Sequence, residues 1–149
     1  MRLDSDFMKA LQKERVERAE KLDKCRRVLM RELCAAGVKS VHVDFDGYGD
    51  SGGLEKPVLD PPIDTSTEVG DTPHEVREWF DGGSRLVVRN YTIGELLNEV
   101  CYGILSNEHG GWEINEGSYG TFSIDPARDR VSLSYNQRIE SVESYDEEF

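Results

Sequence analysis

The stretch Val41-His42-Val43-Asp44-Phe45-Asp46-Gly47-Tyr48-Gly49-Asp50-Ser51-Gly52-Gly53 decides how the chain is read. Val41, Val43 and Phe45 face one way along an extended backbone, while Ser40, His42, Asp44 and Asp46 face the other, the period-2 pattern of a strand with one buried face. A turn rich in glycine and acid follows. The apolar side of this strand needs a cover, and the flanking sequence offers two helices.

Upstream, residues 6–36 are expected to form a long helix, with Asp4, Ser5 and Asp6 suited to its start and Gly37 to the position just past its end. Glu14 with Arg18, Glu17 with Lys21, Glu20 with Lys24 and Asp23 with Arg27 have the favourable acid-before-base i,i+4 order. Each contributes about 0.2 to 0.5 kcal/mol. The apolar positions Phe7, Leu11, Leu22, Cys25, Leu29, Leu33 and Ala36 leave a gap from Arg15 to Arg18, so the second half is expected to dock and the first half to project.

Downstream, four prolines between 57 and 73 mark a mainly looped stretch with a short edge strand near Leu54 to Leu59. Two strands, His74 to Phe80 and Arg85 to Tyr91, are joined by Asp81-Gly82-Gly83-Ser84. Thr92 and Glu95 make a capping box that opens a helix with Ile93, Leu96, Leu97, Val100, Cys101, Ile104 and Leu105 on one face, ended by Gly110 and Gly111. A second hairpin runs from Trp112 to Ile124, through Asp125-Pro126, to Val131, Leu133 and Tyr135. The acid-rich tail 140–149 reads as an edge strand or as unstructured chain. The fold class is α+β: a mostly antiparallel sheet of about five or six strands, one packed amphipathic helix and a long charged N-terminal helix. The division is a charged helix, 1–37, and an acidic α+β domain, 38–149.

With 149 residues and 37% hydrophobic content the chain can bury a real core. No run approaches the roughly 18 apolar residues of a membrane span, and the charged start lacks a secretion-type apolar stretch. Cys25, Cys34 and Cys101 show no Cys-x-x-Cys spacing and read as free thiols on helices, so a cytoplasmic location is expected. The net charge of -12 is divided unevenly. Residues 1–37 hold ten Lys/Arg and seven Asp/Glu, net +3, and residues 38–149 hold eight and twenty-three, net -15. Direct nucleic-acid binding by that acidic body is disfavoured, because phosphate affinity comes from Lys and Arg that displace counterions.

Three chemical motifs overlap at the glycine-rich segment. Gly49-Asp50-Ser51-Gly52-Gly53 matches the nucleophile segment of trypsin-like serine proteases, but that chemistry needs a base and an orienting acid earlier in the chain, and His42 is the sole upstream histidine. Residues 44–55 scan as a calcium loop with Asp44, Asp46, Gly49 and Glu55 in place, yet Tyr48 stands where an oxygen ligand belongs and no helix precedes it. A phosphate cradle would need a following Lys-Ser/Thr and would be repelled by Asp46, Asp50 and Glu55. The ordinary reading is a turn that uses glycine for backbone shape. His109 beside Glu113 reads as a helix-end histidine meeting the dipole more readily than as an acid-base pair. Trp112, Tyr119, Phe122 and Tyr135 read as core or cross-strand partners.

Taken in order, residues 45–52 (Phe45 to Gly52), 110–117 (Gly110 to Gly117), Tyr119-Gly120-x-Phe122 and Tyr135-Asn136-x-Arg138 resemble a bacterial family of domains of unknown function, number 6878. The resemblance covers about 37–149 and implies a small α+β domain, with no functional residue to carry over. The long charged N-terminal helix departs from it.

The functional expectation is a non-enzymatic acidic interaction module that acts as an inhibitor or accessory factor by occupying a basic, nucleic-acid-binding surface of a protein partner. Asp46, Tyr48, Asp50, Glu55, Trp112, Glu113 and Glu116 are its candidate contact residues. No cofactor, metal, direct nucleic-acid or membrane contact is expected, and the N-terminal helix suits a homodimer. The alternative is a carboxylate-based or metal-dependent hydrolase using Asp46, Asp50, Glu55 and Glu113, which requires those groups to converge.

Overall fold

Val41, Val43 and Phe45 are almost wholly buried, and His42, Asp44 and Asp46 between them are exposed, so the strand does divide core from solvent. The computed structural model describes residues 2–48, 51–110, 117–139 and 146. In chain order the elements are α1 (Arg2–Ala35), β1 (Ser40–Tyr48), β2 (Ser51–Leu54), β3 (Val58–Asp60), β4 (Glu68–Phe80), β5 (Gly83–Thr92), α2 (Ile93–Glu108), β6 (Ser118–Asp125), a 3-10 turn (Pro126–Arg128) and β7 (Arg130–Gln137). The α+β class holds, with every strand pair antiparallel.

The main sheet runs β2-β1-β6-β7, and β3 shares the β2 side of β1. β2 pairs with the end of β1, Phe45 opposite Leu54, while β3 pairs with its start, Val41 opposite Leu59. The single short edge strand expected near 54–59 is therefore two strands. Gly52 and Gly53, expected in a turn, lie within β2 opposite Gly47 and Asp46. On the other side Val43 faces Phe122 of β6, which faces Leu133 of β7. Phe122 and Ile124 join the core, and Val131, Leu133 and Tyr135 cover its margin.

Gly120 lies between Phe45 and Tyr135 in this ladder. Its missing side chain lets those two rings stack across it, centroids 6.1 Å apart. A Cβ there would strike the Ser134 carbonyl and come within 2.8 Å of the Phe45 ring.

The helices cover the apolar face. Cys25, Leu29, Met30 and Leu33 of α1 pack with Leu96, Leu97, Val100, Cys101 and Leu105 of α2. Each fully buried aliphatic side chain stabilises by about 1.5 to 3 kcal/mol. Gly103 leaves room for the tip of Leu22 between the helices, since a Cβ on it would sit 2.7 Å from a Leu22 methyl. The first half of α1 projects as the gap in its stripe implies, with Phe7, Met8 and Val16 exposed. Glu14–Arg18 (3.5 Å) and Asp23–Arg27 (3.2 Å) form as expected, whereas Lys21 reaches across to Glu99 of α2 (3.8 Å). Gly37 at φ 75° ends α1 with Gly37 N–H donating to Cys34 O and Val38 N–H to Leu33 O, a Schellman motif. The capping box also forms. Glu95 N–H donates to Thr92 Oγ1 and Thr92 N–H to Glu95 Oε1.

β4 and β5 stand apart as a two-stranded ribbon. Its base is anchored by Val69 and Tyr91 and bent at a bulge between Glu68 and Pro73, where Asp71 takes φ 59°. Thr72 Oγ1 donates to Val69 O and accepts from Tyr91 N–H, which fixes the bend. Beyond it Trp79, Leu86 and Val88 share one exposed face.

Gly120→Ala is expected to cost about 2 to 3 kcal/mol by urea unfolding, because backbone and ring must both move. Burial pushes the Cys101 thiol up to about 12 from an ordinary 9.0. The folded state thus holds that proton more tightly than the unfolded chain. Its contribution to stability is complete below about pH 9 and is lost as pH rises towards 12, with a slope of up to about 1.4 kcal/mol per pH unit that Cys101→Ala removes.

Candidate functional site

The uncovered face of the main sheet carries three rows of polar side chains. Register places Asp46, Tyr119 and Asn136 in one row, Asp44, Thr121 and Ser134 in the next, and His42, Ser123 and Ser132 in the third. Together with Glu55 and Arg138 the first two rows frame a shallow depression of about 400 Å³. Glu55 reaches its rim because its N–H donates to Asp44 O, holding the β2–β3 connection against β1.

Arg138 organises this face. Its N–H donates to Gly117 O, extending the β6–β7 ladder by a residue. The guanidinium donates to Asp46 Oδ1 at 2.8 Å and to Gly47 O at 2.8 Å, and lies over the Tyr119 ring, 4.9 Å from its centroid. One planar group thus ties β1, β6 and the end of β7 together. Asp44 is fixed differently, accepting from Thr121 Oγ1 at 2.6 Å. His42 Nδ1 lies 3.2 Å from Ser123 Oγ, which engages the one histidine upstream of Ser51. Asp44 and Asp46 are strand residues held by cross-strand partners, unlike the ligands of a helix-flanked calcium loop.

Of the predicted contact residues, Asp46 and Glu55 meet in this depression. Tyr48 ends β1, with its backbone opposite Ser51 and its side chain outside the described atoms. Asp50, Trp112, Glu113 and Glu116 lie outside the described residues, as does the tail apart from Asp146. Among the described residues no group of three or more His, Cys, Asp or Glu is placed to hold a metal ion. His109 caps the end of α2, its N–H donating to Leu105 O, and its ring stacks on Tyr135 at 3.6 Å, with an interplanar angle of 7°.

Two features escape sequence reasoning. A cleft of about 410 Å³ between α1, α2 and the ribbon base is lined by Lys21, Cys25, His74, Tyr91 and Glu99 among others. His74 stacks on Tyr91 at 3.7 Å and points Nε2 at Glu95, 3.7 Å away. Burial and then the Glu99 carboxylate raise the Tyr91 phenol and the Cys25 thiol. For Lys21 burial pulls downward, but Glu99 and Tyr91 outweigh it and the ammonium is held above its ordinary value. These residues come from three segments, so no local spacing announces them. The second feature is Trp79, 77% exposed. Its signal was present, since apolar residues fall on both faces of the two strands.

A family model matches residues 22–149, most of the chain. The chain belongs to DUF6878, a family of unknown function. The DUF6878 match starts earlier than the resemblance read from the glycine-rich segments, taking in the docked half of α1 from Leu22, and leaves the projecting half outside. No curated protein and no solved structure matches the chain. No helix among the described residues is long and apolar enough to cross a membrane.

Arg138→Ala is expected to lower stability by about 1 to 3 kcal/mol, because charge-assisted bonds to Asp46 and the Gly47 carbonyl are lost together. Asp46→Asn, altering a half-exposed pair, is expected to cost under about 1 kcal/mol in the same urea titration.

Proposed function

We propose that this DUF6878 protein is a non-enzymatic, acidic interaction module whose open sheet face docks on a basic surface of a protein partner. The observation that carries the reading is the presentation of Asp44, Asp46 and Glu55 on an open face, two of them pinned by Thr121 and Arg138. Alternate strand positions hold Asp44 and Asp46 about 7 Å apart. Preset charges avoid the ordering cost that mobile carboxylates incur on binding. Carboxylates outnumber the one guanidinium here, in a body whose net charge is -15 from residue 38 onward. Such a field attracts a cationic groove and speeds its encounter. A groove built for DNA or RNA has that character, which makes inhibition or accessory regulation of a nucleic-acid-binding protein the specific form of the proposal.

The test is capture of partners from native lysate, followed by titration of the purified partner with and without nucleic acid. Binding is expected to weaken at least tenfold between about 0.1 and about 1 M salt, as the Debye length falls from about 10 to about 3 Å. The variant D44N/D46N/E55Q is expected to lose a similar factor, and the wild-type chain to displace DNA or RNA from the partner. Binding indifferent to salt and to the triple substitution would refute the proposal.

A further inference from the structure

The ribbon of β4 and β5 ends in a two-residue turn, with Phe80 opposite Gly83 and Gly82 at φ 100°. In an antiparallel hairpin the pair flanking such a turn exchanges hydrogen bonds, and pairs alternate from there. Phe80, Glu78, Val76 and His74 therefore bond inward to β5. Trp79, Arg77, Glu75 and the Pro73 carbonyl point their backbone groups outward, and among the described residues nothing pairs with that edge. Two strands alone are marginal in water, and an unpaired edge is a template for a further strand.

We infer that β4 pairs with β4 of a second copy of this chain, antiparallel about a twofold axis at Val76, to give a four-stranded sheet. Charge selects this register. A twofold axis at Val76 sets Glu75 opposite Arg77 of the second copy and Arg77 opposite its Glu75. The outward-pointing backbone groups of residues 75 and 77 then meet as hydrogen-bonded pairs. An axis at Glu75 or at Arg77 would put like charges face to face. An axis at Glu78 would oppose Glu78 to itself and Glu75 to Asp81, and one at His74 would bring Pro73, which lacks an N–H, beside the centre.

Side chains fit the same register. Glu75 is exposed and has no ion pair or hydrogen bond among the described residues, whereas Arg77 is held toward the face by donating to Ser84 Oγ at 2.8 Å. Trp79 lies opposite Pro73 of the second copy, which places its exposed ring against a proline instead of water. Pro73 can accept there but cannot donate, so the ladder stops at both ends, and because the twofold contact is isologous it uses the β4 edge of both copies and closes as a dimer. This inference is independent of the acidic-face proposal, since the two use different surfaces.

Light scattering over a concentration series, with the full chain, gives the mass. The expected result is about twice 16.9 kDa at high concentration. Glu75→Arg, which sets arginine against arginine, is expected to weaken association at least tenfold, and the swap E75R/R77E to restore it. Circular dichroism checks that the fold of each variant is retained. Hydrogen exchange supplies a second readout, with the amides of Glu75, Arg77 and Trp79 protected in the dimer and exchanging freely on dilution. A monomer at every concentration would overturn the inference. So would a dimer indifferent to Glu75→Arg, or one protected only within residues 2–21.

Discussion

Two helices have one sheet face to cover, and that arithmetic governs the molecule. The second half of α1 and the whole of α2 supply Leu29, Leu33, Leu97, Val100 and Leu105 to the face formed by Val41, Val43, Phe45, Phe122 and Ile124. Once that layer closes, no helix among the described residues is left for the other side of the sheet or for the ribbon. The far side of the main sheet is accordingly built mainly from aspartate, serine, threonine and asparagine, which need no cover, with His42 and with Tyr119 lying under the Arg138 guanidinium. The ribbon has no such solution, and its Trp79, Leu86 and Val88 stay in solvent.

Small residues make room for larger neighbours at two points in this packing. Gly103 admits Leu22 between the helices, and Gly120 admits the Phe45 and Tyr135 rings on the sheet. Both are packing glycines within regular elements. By contrast, the glycines at 52 and 53 are strand residues near the hairpin, and Gly37 and Gly82 supply the positive φ that ends a helix or turns a ribbon. One residue type therefore does three separate jobs along this chain.

Most of the architecture is legible because it is local. The alternation from Val41 to Phe45, the Thr92–Glu95 capping box, the stripe of α2 and the stop at Gly37 all depend on near neighbours, and each forms. What depends on distant neighbours was less legible. Lys21 has a partner four residues away in sequence yet meets Glu99 on another helix. Likewise, strand pattern cannot say whether β4 and β5 join the main sheet, and they do not. At the open face, the short spacing of Asp46 and Glu55 along the chain marks them as acids of one neighbourhood. The role of Arg138 has no such local mark, because it lies some ninety residues from its partners Asp46 and Gly47.

Helix α1 runs without interruption from Arg2 to Ala35, anchored over its later turns and free over its earlier ones. With no proline or hinge between the two parts, the free length is a strut of about 30 Å. Anything held near Phe7 is thereby kept at a set reach and bearing from the domain, as a spar keeps its tip clear of a hull. Shortening it by seven residues would draw the tip in by about 10 Å while turning its bearing by only about 20°.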